Sequence, residues 1–237
     1  MKTIHITKKI LKMLYPDTCV FCGEICESGI CESCRQKVKE IQEPLCKKCG
    51  KPIRSEEAEF CYDCQNTEFH YEQGRSLWLH EKPAVNAIYA FKYKNRRVYG
   101  EVFAKEMAKK FQALVQEWEI DLIIPVPIHK KRRRKRGYNQ AEILAKELGR
   151  IWGIPVDCSL VVRNKETAPQ KELGQGNRKR NLRKAFSLTR SISEDRTILI
   201  VDDIYTTGST IDSMAQLLKK EGNEKIYFLT ISIGQGF

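Results

Sequence analysis

Apolar residues recur along this chain in two rhythms. Ile198-Leu199-Ile200-Val201, the run Leu122-Ile123-Ile124 inside Asp121 to Pro127, and Ile226 to Ile233 are nearly continuous aliphatic stretches. Such runs suit strands buried on both faces of a parallel sheet. Val98 to Trp118 instead spaces Val102, Phe103, Met107, Phe111, Leu114 and Val115 along one face of a helix, with Lys and Glu opposite. Pro83 to Tyr93, Ala141 to Arg150 and Ile211 to Lys220 read as further helices, the first opened by Pro83 and the last ended by Gly222. Pro155 to Val162 and Ala185 to Leu188 read as shorter strands, and Thr67 to His80 as a connecting stretch. Strands alternating with helices predict an α/β fold with a parallel sheet.

Before residue 65 the apolar rhythm gives way to cysteine. Eight thiols form four Cys-x-x-Cys pairs: Cys19/Cys22, Cys31/Cys34, Cys46/Cys49 and Cys61/Cys64. The segment is an internal repeat, because Cys19-Val20-Phe21-Cys22-Gly23 recurs as Cys46-Lys47-Lys48-Cys49-Gly50. Two pairs supply four thiolates with no open position, the ligand set of structural zinc, so two zinc sites are expected. Pairing within each repeat is the simplest arrangement; a crossed arrangement, and iron–sulfur ligation by the same residues, stay open. A disulfide scaffold is disfavoured, since Met1 to Tyr15 mixes lysines with apolar residues and lacks the continuous apolar centre of a secretion signal. Cys26 and Cys158 stand outside the ligand set. With few large apolar side chains, such a segment depends on metal for much of its stability.

The 42 basic residues outnumber the 30 acidic ones, giving a formal charge of +12 that attracts polyanions. Lys130 to Arg136 is an unbroken cationic run, and Arg178 to Lys184 holds a second cluster. No apolar run is long enough to span a membrane, and a cytoplasmic protein is expected. The expected divisions are an amphipathic helix over 1–16, a double zinc ribbon over 17–66 and the α/β body over 67–237, with a long polar loop at about 163–185.

The candidate chemistry sits where the strand Ile198 to Val201 runs into Asp202-Asp203 and then Thr206-Thr207-Gly208-Ser209-Thr210. Asp202 and Asp203 suit the vicinal hydroxyls of a ribose. Thr206, Thr207, Gly208, Ser209 and Thr210 offer hydroxyls and backbone N–H groups to a phosphate, and a helix starting near Ser209 aims its positive end at the same anion. After the prolines of the Asp121 to Pro127 strand, His129, Lys130, Arg136 and Gly137 lie in a cationic loop that could converge on a pyrophosphate, or on nucleic acid. No Gly-x-x-x-x-Gly-Lys-Ser/Thr loop competes for the phosphate.

The Ile198 to Thr210 stretch resembles the phosphoribosyl pyrophosphate (PRPP) signature of type I phosphoribosyltransferases. Taken with the cysteine repeat, Phe91-Lys92-Tyr93, Pro125-Val126-Pro127 and Arg136-Gly137-Tyr138-Asn139-Gln140-Ala141, nearly the whole chain resembles the ComF family of competence proteins. That resemblance implies a type I phosphoribosyltransferase-like parallel sheet flanked by helices, preceded by a small cysteine-rich double zinc ribbon. It implies PRPP as ligand, carried with Mg²⁺, and a role in DNA uptake during natural transformation alongside competence-machinery proteins. Asp202 and Asp203 become the catalytic pair, and Arg163, Gln170 and Arg178 elements of a flexible loop closing over the site. One departure weakens a role in purine salvage: Thr206 stands where 6-oxopurine enzymes carry an Asp, so no acid or base for an acceptor is identifiable. Two other readings share these residues: an adaptor binding single-stranded DNA, and a regulator that senses PRPP without turnover.

Overall fold

The computed structural model describes residues 16–164 and 185–235. In chain order the elements are α1 Glu32–Arg35, α2 Tyr62–Asn66, β1 Gln73–Leu79, α3 Ala84–Tyr93, α4 Tyr99–Glu117, β2 Leu122–Pro125, α5 Lys130–Arg136, α6 Gln140–Trp152, β3 Val161–Arg163, β4 Phe186–Leu188, β5 Ile198–Tyr205, α7 Ser209–Lys219 and β6 Ile226–Ile233. The expected helix over 1–16, and the loop residues Gln170 and Arg178, lie outside the described residues.

Four strands form a parallel sheet in the order β1-β6-β5-β2. Alternation along β5 divides the interior in two. Leu199 and Val201 join a core built with α3, α4 and α6, while Ile198 and Ile200 join one built with α7 and the antiparallel β3–β4 pair. Both faces of the sheet are therefore covered, which is why its central strands carry aliphatic residues at successive positions.

The cysteine-rich segment is packed into this body. Cys19 and Cys34 belong to the first core, and Cys46, Cys49 and Cys61 to the second, so the segment straddles the sheet at β1. It also covers the outer edge of that strand: Glu40 bridges Trp78, Leu79 N–H donates to the Lys39 carbonyl at 3.0 Å, and Gly74 N–H to that of Lys48 at 2.8 Å. A sheet edge closed in this way offers no row of free amides to another chain.

Three expectations need correction. Thr67 to His80 is not merely a connection, because it contains β1. That strand, Gln73-Gly74-Arg75-Ser76-Leu77-Trp78-Leu79, has no long apolar run: Gly74 leaves room for the Phe228 ring, and Ser76 bonds Thr230 Oγ1 at 2.6 Å. Pro155 to Val162 is not one strand. Val156 makes a single bridge to Ile123, and then Asp157 Oδ1 accepts from Ser159 N–H and Leu160 N–H, both at 2.9 Å, which turns the chain before β3. The cationic run is a short helix, α5, rather than an open loop. His129 Nδ1 caps it by accepting from Lys131 N–H at 3.3 Å, and Gly137 closes it in the left-handed conformation at φ +79°.

Candidate functional site

β5 ends at the carboxyl edge of the sheet, where ligands bind in open α/β folds. Asp202 and Asp203 lie on its last turn of extended chain, with Asp203 N–H donating to Asp202 Oδ1 at 2.8 Å. Lys92 reaches over from α3 and places Nζ 2.7 Å from Asp203 Oδ1, both side chains largely buried. Burial and the neighbouring Asp203 charge push the Asp202 carboxyl up to about 7, against the opposing pull of Lys92 and Arg163. Arg163, at the end of β3, is itself lowered by burial and by Arg132 of α5, and raised by Asp202. Two acids, Lys92 and Arg163 thus share one electrostatic neighbourhood, with Arg132 beside Arg163. Lys92 compensates one acid there, and the other is inclined to keep its proton.

The phosphate turn follows directly. Thr206 and Thr207 are exposed, Thr207 Oγ1 lies 2.9 Å from Ser209 Oγ, and Gly208 opens α7 at φ +76°. Among the described residues no side chain caps this helix, so its first N–H groups are available to an anion. Glycine is required at 208 twice over. Its φ is left-handed, and an added Cβ would overlap the Tyr205 hydroxyl and press on Phe69 Cε1 at 3.0 Å. Beneath the turn, Tyr205 and Tyr71 share a buried hydrogen bond of 2.6 Å, and burial raises both phenols. His70 anchors the same helix, its N–H donating to Asp212 Oδ1 at 2.7 Å.

The thiols gather as two quartets, Cys19/Cys22/Cys31/Cys34 and Cys46/Cys49/Cys61/Cys64. In each, the four sulfurs lie within 4.8 Å of one another. Pairing therefore falls within each repeat, and four converging thiols are the donor set of a closed tetrahedral zinc site. Burial raises the Cys19 thiol, but N–H groups of Cys31, Cys22 and Phe21 pointing at its sulfur lower it overall to about 6, so the backbone already favours a thiolate. Burial and its three partners push Cys34 up to about 12, since four anionic sulfurs cannot crowd together without a cation. Both quartets fit structural zinc, which would fix the knuckles. The second quartet raises Tyr205 electrostatically, and Lys51, paired with Asp63 at 2.6 Å, sits 5.9 Å from the Tyr205 ring. Cys26 bonds Ser28 Oγ at 3.1 Å instead, and Cys158 is half-buried, so both stand outside the quartets.

Of the expected pyrophosphate residues, His129 and Gly137 serve as the caps of α5. Arg136 donates to Gln140 Oε1 at 3.0 Å and to the Tyr93 hydroxyl at 2.8 Å, stacking over the Tyr93 ring, and Lys130 is exposed. The cations in the field of the acids are Lys92 and Arg163, and Arg132 acts on Arg163. Lys92, paired with Asp203, and His80, in the field of that pair, are absent from the residues expected at the site. Lys92 stands on the polar stripe of its helix, and His80 follows a strand that lacks an apolar run.

A parallel sheet whose carboxyl edge carries two acids and a glycine-opened helix turn, joined to two thiol quartets, defines a phosphoribosyltransferase-type fold with a double zinc ribbon. Residues 99–232 match the Phosphoribosyl transferase domain and residues 10–65 the Double zinc ribbon domain. The chain is 32% identical to Competence protein F of Haemophilus influenzae, over 88% of this chain and 93% of that protein. It is 27% identical to Competence protein ComFC of Bacillus subtilis over 92% and 85%, and 29% identical to DNA utilization protein YhgH of Salmonella typhimurium over 82% and 86%. The chain belongs to the Competence protein F (ComF) family. No helix among the described residues is long and apolar enough to cross a membrane.

Proposed function

We propose that this protein binds Mg-PRPP at the carboxyl edge of β5 and transfers its phosphoribosyl group to an acceptor, in the handling of DNA taken up by the cell. One observation carries the reading: Asp202, Asp203 and the Gly208-opened start of α7 lie consecutively at that edge, acids for the ribose hydroxyls beside amides for the 5′-phosphate. Pyrophosphate then lies toward α5 and β3, near Arg132 and Arg163. Magnesium bound with PRPP would supply charge neutralisation at the pyrophosphate, beside Arg132 and Arg163. The names of the relatives, Competence protein F and DNA utilization protein YhgH, support the link to DNA. A screen for pyrophosphate release from Mg-PRPP against bases, amines and nucleic acids tests transfer. Release with one acceptor class supports a transferase, whereas tight binding without release with any of them supports a sensor.

A second reading rests on a separate surface. Tyr89 and Tyr93 are exposed, their ring centroids 4.9 Å apart, and Arg136 lies 4.7 Å over the Tyr93 ring beside the cations of α5. Exposed aromatic faces flanked by cations suit stacked bases and phosphates of single-stranded DNA. The expected signature is affinity that falls steeply with salt and is weakened by Tyr89→Ala with Tyr93→Ala. Salt-insensitive binding, or affinity unchanged in that double variant, would dismiss this reading.

A further inference from the structure

Transfer at C1′ of a phosphoribosyl group displaces pyrophosphate, and in a direct displacement the incoming atom arrives opposite the leaving group. Resting on the site proposed above, this geometry assigns sides to the sheet edge. The order is β1-β6-β5-β2, with the ribose over β5 and α5, which carries Arg132, following β2. With pyrophosphate on the α5 side, the acceptor approaches from the side of β6 and β1. The titratable group closing β1 on that side is His80.

His80 is firmly held. Its N–H donates to the Ile233 carbonyl at 2.7 Å, and its Nδ1 lies 2.8 Å from Oγ of Ser232, a residue fully buried in β6. Its Nε2 has no hydrogen-bond partner among the described residues. The charged groups around it are Lys92 and Asp203, the ion pair of the site, together with the adjacent Glu81, which pairs with Lys39 at 2.6 Å and accepts from Gln235. Burial first and Lys92 second lower its pKa, with Asp203 opposing, so the imidazole is neutral at neutral pH.

We infer that His80, held by Ser232, is the general base that removes the proton from the acceptor's attacking atom, a role for which the chain lacks an acid at Thr206. The acceptor is accordingly a nucleophile that still carries a proton on nitrogen or oxygen, such as an amine, a ring N–H or a hydroxyl. With Nδ1–H donating to Ser232 Oγ, Nε2 presents its lone pair. The acceptor atom forms its bond to C1′ as the C1′–O bond to pyrophosphate breaks. Pyrophosphate leaves with the electron pair, and the acceptor's proton passes to Nε2.

Small nucleophiles test this without knowledge of the natural acceptor. Pyrophosphate release from Mg-PRPP is followed with water, hydroxylamine and azide, for the wild type, His80→Gln and Ser232→Ala, with Mg-PRPP affinity measured by calorimetry for each. Azide has no proton to lose. His80→Gln is expected to retain Mg-PRPP affinity, to lose about a hundredfold in rate with water and hydroxylamine, and to lose the acidic limb of the pH profile. The loss is expected to be far smaller with azide, and Ser232→Ala is expected to show a weaker form of the same pattern. An equal loss with all three nucleophiles, no loss with any, or wild-type enzyme that binds Mg-PRPP but turns over none of them would overturn the role of His80. Absence of Mg-PRPP binding by the wild type would overturn the site itself, and this inference with it.

Discussion

Replacing Gly208 with alanine probes the support of the phosphate turn. A non-glycine residue at φ +76° costs about 1–2 kcal/mol. The added methyl also overlaps the Tyr205 hydroxyl, which must leave its 2.6 Å bond to Tyr71. A buried hydroxyl left without its partner costs about 1–3 kcal/mol. Gly208→Ala should therefore destabilise the body by about 2–5 kcal/mol and weaken Mg-PRPP binding, since the first amides of α7 are displaced. Urea unfolding followed by tryptophan fluorescence, with calorimetric affinity alongside, measures both effects. The reasoning makes a sharper claim: Tyr205→Phe removes the atom that the methyl strikes. The double variant should be less destabilised than the two single changes added together, by about 1 kcal/mol. Strict additivity, or a neutral Gly208→Ala, would refute the steric account.

Lys92→Met leaves Asp203 uncompensated in a largely buried place and should cost about 3 kcal/mol in urea unfolding, the lower edge of the range for broken buried pairs; adding Asp203→Asn should recover part of it. Folding raises the Asp202 pKa from 3.8 to about 7, so its contribution to stability is greatest below the lower value and declines as pH rises toward the upper one. Hydroxyls or Mg²⁺ bound there favour the carboxylate, so Mg-PRPP binding should release a proton near pH 6 and none from this group near pH 8, which calorimetry in buffers of different ionisation enthalpy detects. The two quartets should bind two zinc ions per chain by elemental analysis; Cys49→Ser should leave one and soften the Tyr71–Tyr205 support, seen as weaker Mg-PRPP binding.

Much of the body was legible because its signals are local and contiguous. The aliphatic runs of β5 and β6 are buried on both faces, so burial and sequence coincide, and the repeated Cys-x-x-Cys pairs announce their own convergence. Asp202 to Thr210 read as one unit because one strand and one helix start hold all of them. β1 was not legible because an edge strand partly covered by the ribbon tolerates Gln73, Gly74 and Arg75, and because Gly74 answers to Phe228, a residue far away in the chain. His80 was hidden with that strand. The importance of Lys92 arises only when α3 packs beside β5, and the two-turn helix α5 scatters its cations around an axis, so sequence could not single out Arg132 from its neighbours. Residues that act across the fold leave no spacing to read.

The account turns on two carboxylates at the end of β5 gripping the ribose of PRPP. Calorimetric titration of Mg-PRPP into the wild type and into the Asp202→Asn, Asp203→Asn double variant tests that claim most directly. Saturable binding by the wild type, lost in a double variant that still folds and keeps its zinc, is the predicted result. Equal affinity in both proteins, or no binding in either, would contradict it.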